Sequence, residues 1–195
     1  MFRRNRPMRG RRVFRGGLFN PNGALAAEAR EAFDEANGLY QQGQYAEAES
    51  LLRRSLTIRE KSLGPEHPDV AIGLSNLGGI YWRNRKYSEA ESLSKRSLAI
   101  WESALGPEHP NVATSLNNLA VLYRDQGRYV EAEPLFKRAL TIREKILGVE
   151  HPDVAQTLRG YANLLRKTDR VTEAAEMETR AKSIQAAHRQ TKSNQ

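Results

Sequence analysis

The chain contains no cysteine, which removes a disulfide framework, a cysteine nucleophile and the thiolate ligands of most structural zinc sites. No apolar run approaches the roughly 18 residues that a membrane-spanning helix needs. Arginines interrupt the N-terminus where a secretory signal would place its apolar core. A glycine-rich phosphate loop, a serine elbow and a paired-histidine zinc motif are also missing. These absences argue against an enzyme and call for no cofactor or metal; the expectation is a soluble, cytoplasmic protein. Acidic residues are also missing from the N-terminal segment. Residues 1–23 hold seven arginines (Arg3, Arg4, Arg6, Arg9, Arg11, Arg12 and Arg15) and no acid.

That segment accounts for nearly all of the formal net charge of +8. The other residues carry 24 basic and 23 acidic side chains, so the body of the chain is almost neutral. Residues 1–23 are rich in Arg, Gly, Pro and Asn without a helical period, and read as a disordered tail. Three readings stand for it. It binds RNA or an anionic surface by counterion release, or it is an organelle-targeting segment, or it is solvated leader sequence or an artefact of the chosen start.

What the sequence does have is a period. Gly-Pro-Glu-His-Pro-Asp-Val-Ala begins at Gly64, and returns with small changes at Gly106 and Gly148, 42 residues apart each time. A fixed period of this size marks a solenoid, whose units bury their apolar faces only against one another. Within one unit, Pro110 suits the first turn of a helix, with Asn111 placing a polar side chain beside the free N–H groups. Leu116, Leu119, Ala120 and Tyr123 then fall on one helical face. Asp125-Gln126-Gly127-Arg128 breaks that helix, and a second carries Ala132, Leu135, Phe136, Ala139, Leu140 and Ile142 up to a glycine stop at Gly148.

The same slots recur in other units, with a small residue at Ala36, Gly78, Ala120 and Ala162 that lets two helices approach closely. The predicted organisation is a tail over 1–23, a repeat array over 24–187 and a frayed end over 188–195. The units fall at about 30–71, 72–113, 114–155 and 156–187. The fourth puts Glu178 and Lys182 where the third has Phe136 and Leu140, the polar outer face of a capping unit.

Residues 117–145, from Asn117-Asn118-Leu119-Ala120 to Ile142-Arg143-Glu144-Lys145, resemble a tetratricopeptide repeat of the 42-residue type found in kinesin light chains and many bacterial arrays. The resemblance covers about 150 residues in four units. It implies an all-α, right-handed superhelical solenoid of helix-turn-helix repeats, acting as a non-catalytic protein-interaction scaffold. In that family the first helices of successive units line the binding groove. Carried over, the groove residues are Phe33, Asn37 and Tyr40; Ser75, Asn76, Gly79, Trp82 and Arg83; Asn117, Asn118, Val121, Arg124 and Asp125; Arg159, Asn163, Arg166 and Lys167.

The groove so defined is net positive, with aromatics (Phe33, Tyr40, Trp82) at its N-terminal end. The partner expected is an extended acidic peptide with an apolar anchor near the first units, its carboxylates held by arginine. Replacing Arg124 and Arg166 together by Glu is expected to abolish capture. Two other constellations read as structural. His67, His109 and His151 lie a two-helix step apart, each helix spacing being roughly 8–10 Å, too far to share an ion, and so serve to start helices. The pairs Glu47/Glu49, Glu89/Glu91 and Glu131/Glu133 read as a solvated face with acids near helix N-termini. Two further roles remain open: an RNA- or anionic-surface-associated accessory protein working through the arginine tail, and a subunit that buries an apolar array edge in a larger assembly.

Overall fold

The computed structural model describes the backbone of residues 21–193 and the side chains of residues 23–190. Arg3 to Arg15, and with them the tail readings, lie outside the described residues. Eight helices form among the described residues, with no strand: α1 (Pro21–Gln41), α2 (Tyr45–Leu63), α3 (Pro68–Arg83), α4 (Tyr87–Leu105), α5 (Pro110–Asp125), α6 (Tyr129–Leu147), α7 (Pro152–Lys167) and α8 (Val171–Ser193). They pair as four antiparallel hairpins, each second helix also packing on the first helix of the next hairpin. The chain is an all-α repeat solenoid.

The second, third and fourth hairpins start with the same device. The ring Nδ1 of His67, His109 and His151 accepts a hydrogen bond from the backbone N–H two residues on, at 3.1, 3.1 and 3.2 Å. These histidines are the N-caps, in extended backbone, and the following proline takes the first helical position, where its missing N–H is harmless. The cap is therefore His109 and not the Asn111 side chain. The glycine before each cap ends the preceding helix with φ of +90°, +85° and +86° at Gly64, Gly106 and Gly148. With ψ near 155–160° at these positions, the backbone lies in a region open essentially to glycine alone.

Inside a hairpin, Ala36, Gly78, Ala120 and Ala162 are fully or almost fully buried, as are Ala48, Ala90, Ala132 and Ala174. Small residues on both helices bring the backbones together: a Cβ at Gly78 would stand 3.6 Å from the Ala90 carbonyl oxygen. Leu74, Leu116 and Leu158 are wholly buried at one slot of the register, and each such side chain contributes about 1.5–3 kcal/mol. The Ser55 and Ser97 hydroxyls donate to the Ala29 and Ala71 carbonyls across their hairpins, at 2.6 and 2.8 Å.

Units are tied to one another by a polar ladder on the hairpin-turn side. Glu91 of α4 accepts from Tyr123 (3.0 Å) and Arg128 (2.6 Å) of the next hairpin and pairs with Lys95 (2.6 Å). Glu133 of α6 repeats the arrangement with Tyr161 (2.8 Å), Arg170 (2.8 Å) and Lys137 (2.7 Å). Burial pushes the Glu91 carboxyl up, but bonds from Lys95, Arg128 and Tyr123 outweigh it and hold it down at about 2. Bonds from Lys137 and Arg170 bring Glu133 to about 2 against burial. Glu49 accepts from Tyr81 at 3.1 Å in the same way. These glutamates are inter-unit clamps rather than a solvated face, because their neighbours come from the adjacent hairpin.

A buried guanidinium adds a further tie. Arg143, only 3% exposed, donates to the Asp153 carbonyl (2.8 Å) and Thr157 hydroxyl (2.7 Å) of α7 and reaches Thr114 of α5. Among the described residues α1 starts at Pro21, within the segment expected as tail, and α8 runs to Ser193, six residues past the expected end of the array. Ala181 and Ile184 anchor α8 on Val154, Ala155 and Leu158. Alanines 186 and 187 and the following polar residues favour continuation of the helix.

Candidate functional site

The first helices of the hairpins wall a central cleft of about 470 Å³. Asn37 and Tyr40 come from α1, Ser75, Asn76, Gly78, Gly79 and Trp82 from α3, Ser115, Asn117, Asn118 and Val121 from α5, and Gln156 from α7; Ala90 and Ser94 of α4 reach it from behind. The cleft opens at this junction because of one slot in the second helices. That slot holds Leu52, Ser94, Phe136 and Glu178 in successive units. At the next junction the Phe136 ring stacks on Tyr161 (centroids 6.0 Å apart) and sits where a side chain at residue 160 would be, 2.8 Å from a Cβ built on Gly160. Ser94 is too small to do this. With Gly78 and Gly79 beside it, the junction is left hollow.

The walls are polar at selected points. The Asn76 side chain donates to Asn37 Oδ1 at 3.1 Å, and the Ser75 hydroxyl bonds Ser97 at 2.8 Å. Asn117 differs. It is 5% exposed and its Oδ1 has no hydrogen-bond partner among the described residues. A buried acceptor left unpaired costs about 1–3 kcal/mol.

A second cleft of about 600 Å³ adjoins the first, sharing Trp82. Its other walls are Arg83, Arg85, Tyr87, Arg124, Asp125, Tyr129 and Lys167, from the hairpin-turn ends of α3, α5 and α7 and the starts of α4 and α6. The Trp82 indole N–H donates to Asp125 Oδ2 at 2.9 Å, while Arg124 grips Asp125 Oδ1 at 2.7–2.8 Å. The Arg83 guanidinium lies 4.4 Å from the Tyr45 ring centroid and 5.8 Å from that of Tyr40, a cation–π contact. Arg85 and Lys167 have no side-chain partner among the described residues.

Tyr40, Asn76, Trp82, Asn117 and Asn118 thus meet at the central cleft, and Arg83, Arg124 and Lys167 at the second. Arg159, Asn163 and Arg166 line neither. Arg166 is paired with Glu178 of α8 at 2.7 Å. The expected positive groove is therefore narrower: Arg124 and Arg166 each carry a carboxylate, and exchanging both for Glu would also disturb Asp125 and Glu178. Phe33 leaves the aromatic group too. It sits under the Arg59 guanidinium, 4.6 Å away, in a separate cleft of about 400 Å³ with Leu63 and Ile72.

Sequence reading overlooks Ser94, Arg85, Tyr87, Tyr129 and Gln156. The register carried a signal for the first four. Ser94 interrupts a slot that is apolar in the units on either side, and Arg85 replaces the glycine held at Gly43 and Gly127. Tyr87 and Tyr129 repeat the slot of Tyr45.

Residues 28–93, 69–145 and 112–187 match the tetratricopeptide repeat family. The chain belongs to that family. Its repeats are of the kinesin-light-chain-like type. It is similar in structure to BtubC (BKLC) from P. vanneervenii, with a TM-score of 0.75 and 26% identity, over 83% of this chain and 64% of that one. A Podosopora anserina protein described as a kinesin light chain with nearly identical TPR-like repeats aligns at TM-score 0.66 and 29% identity, over 82% of this chain and 76% of its own. A 44-residue stretch is 46% identical to Nephrocystin-3 of Xenopus laevis, covering 23% of this chain and 3% of that protein. Tetratricopeptide repeats are protein–protein interaction scaffolds and typically non-catalytic. No helix among the described residues is long and apolar enough to cross a membrane.

Proposed function

We propose that this chain is a non-catalytic adaptor that holds an extended, acidic peptide segment across α1, α3, α5 and α7. An apolar anchor side chain fills the hollow beside Ser94 and Gly79, between Tyr40 and Trp82. The peptide's acidic part turns toward Arg83, Arg124 and Lys167. The observation that carries this reading is the hollow junction itself, walled by Tyr40, Asn76, Trp82 and Asn118. A cleft of this size accepts one large side chain with little reorganisation.

Isothermal titration with a degenerate short-peptide library, biased to acidic residues around a central apolar position, tests it. The parent chain should retain a subset of the library. Ser94→Leu copies the residue that Leu52 already places at this slot; it should fill the hollow and abolish retention. An unchanged retained pool in Ser94→Leu would refute the site.

A further inference from the structure

The second cleft collects more positive charge than a peptide carboxylate needs. Arg83, Arg85, Arg124 and Lys167 face a single acid, Asp125, which is already shared between Arg124 and the Trp82 indole. The phenols of Tyr87 and Tyr129 stand on the same wall. Arg85 is held with φ of +59°, where the equivalent residues are Gly43 and Gly127 at +81° and +77° and Asp169 at +58°. Strained, non-glycine backbone of this kind is concentrated at functional sites.

We infer that the cleft walled by Arg83, Arg85, Arg124, Lys167, Tyr87 and Tyr129 takes a phosphate monoester carried on the bound peptide. A carboxylate brings one negative charge and two oxygens. A phosphorylated side chain brings about −1.5 to −2 at pH 7 and three strong acceptors, which matches four cations and one acid far better. Guanidinium groups suit this ligand because they bond its oxygens in pairs. The peptide is the source because Trp82 belongs to both clefts, so a segment anchored beside Ser94 has its neighbouring residues at the second cleft. This role rests on the groove reading above.

The test compares the full chain with Arg85→Gly, Lys167→Gln and Ser94→Leu. Arg85→Gly removes a cation while relieving the backbone, so its folding is not at risk. Each protein is titrated with the peptide library carrying a fixed phosphoserine, with the same library carrying Glu there, with inorganic phosphate and with single-stranded RNA, at constant ionic strength. The phosphorylated library should bind the parent at least about tenfold tighter than the Glu library. Arg85→Gly should lose that increment and keep Glu-library binding, Lys167→Gln should weaken binding of both libraries, and Ser94→Leu should lose both. Equal binding of the two libraries would overturn the phosphate assignment and leave the groove standing. Inorganic phosphate binding as tightly as the phosphorylated library would assign the cleft to a small anion and overturn the peptide source. RNA binding that depends on Arg85 and Lys167, without a phosphopeptide preference, would also overturn it.

Discussion

The Trp82 indole N–H and the Asp125 carboxylate, one repeat apart, are joined by a 2.9 Å hydrogen bond. The bond orients the ring that forms the common wall of both clefts. Asp125→Asn keeps an acceptor and removes the one acid among the cleft's described lining residues. Trp82 emission should stay unshifted, and anionic peptides should bind more tightly. Asp125→Ala should red-shift the emission as the ring loses its anchor, with stability within about 1 kcal/mol of the parent, as for other exposed contacts. Tryptophan fluorescence with urea titration separates the two.

The histidine caps make a paired prediction. His109→Ala leaves the N–H of Asn111 without its acceptor and should destabilise the array by about 1 kcal/mol. His109→Asp restores a short acceptor at the cap and should recover most of that loss. The urea midpoint of each variant checks this, and a metal-site role for these histidines would predict chelator sensitivity in place of cap rescue.

Acid should unlock the units. Glu91 and Glu133 are both held at about 2, below an ordinary value of 4.5, so the folded state favours the ionised form. Their stabilisation is fully present above about pH 4.5 and is lost as pH falls toward 2. The double variant Glu91→Gln with Glu133→Gln should be less stable than the parent at pH 7. The gap should close between pH 4.5 and 2, as read by urea midpoints across that range.

Arg85 and Gly160 predict opposite outcomes from single substitutions. Arg85→Gly should stabilise the fold by about 1 kcal/mol, because a left-handed backbone costs an L-residue roughly 1–2 kcal/mol. Gly160→Ala should destabilise it by about 1–3 kcal/mol, since the new methyl meets the Phe136 ring at 2.8 Å. Thermal melts of the two variants should move in opposite directions.

Three glutamates are more enclosed than their own helices suggest, for a reason that also limits the groove. Glu49, Glu91 and Glu133 look solvated on their own helices, since residues two apart point to different sides. Their partners Tyr81, Tyr123 and Arg170 come from the following hairpin. Arg124 and Asp125 are sequence neighbours whose side chains pair and also receive Trp82 from 43 residues away. Charge counted along one helix overstates what the groove offers.

The sequence by itself determined the class and the period. Repetition every 42 residues, apolar slots at helical spacing and the Gly…His-Pro punctuation are local or periodic properties, and each hairpin is the same local solution repeated. Only the tertiary structure decided which junction is hollow, which cations are already paired and that Asn117 keeps an unpaired acceptor. Those depend on side-chain volume and on contacts between different helices, where Ser94 and Phe136 differ in what they fill. A cavity is set by what the facing helices fail to occupy, and no single helix encodes that.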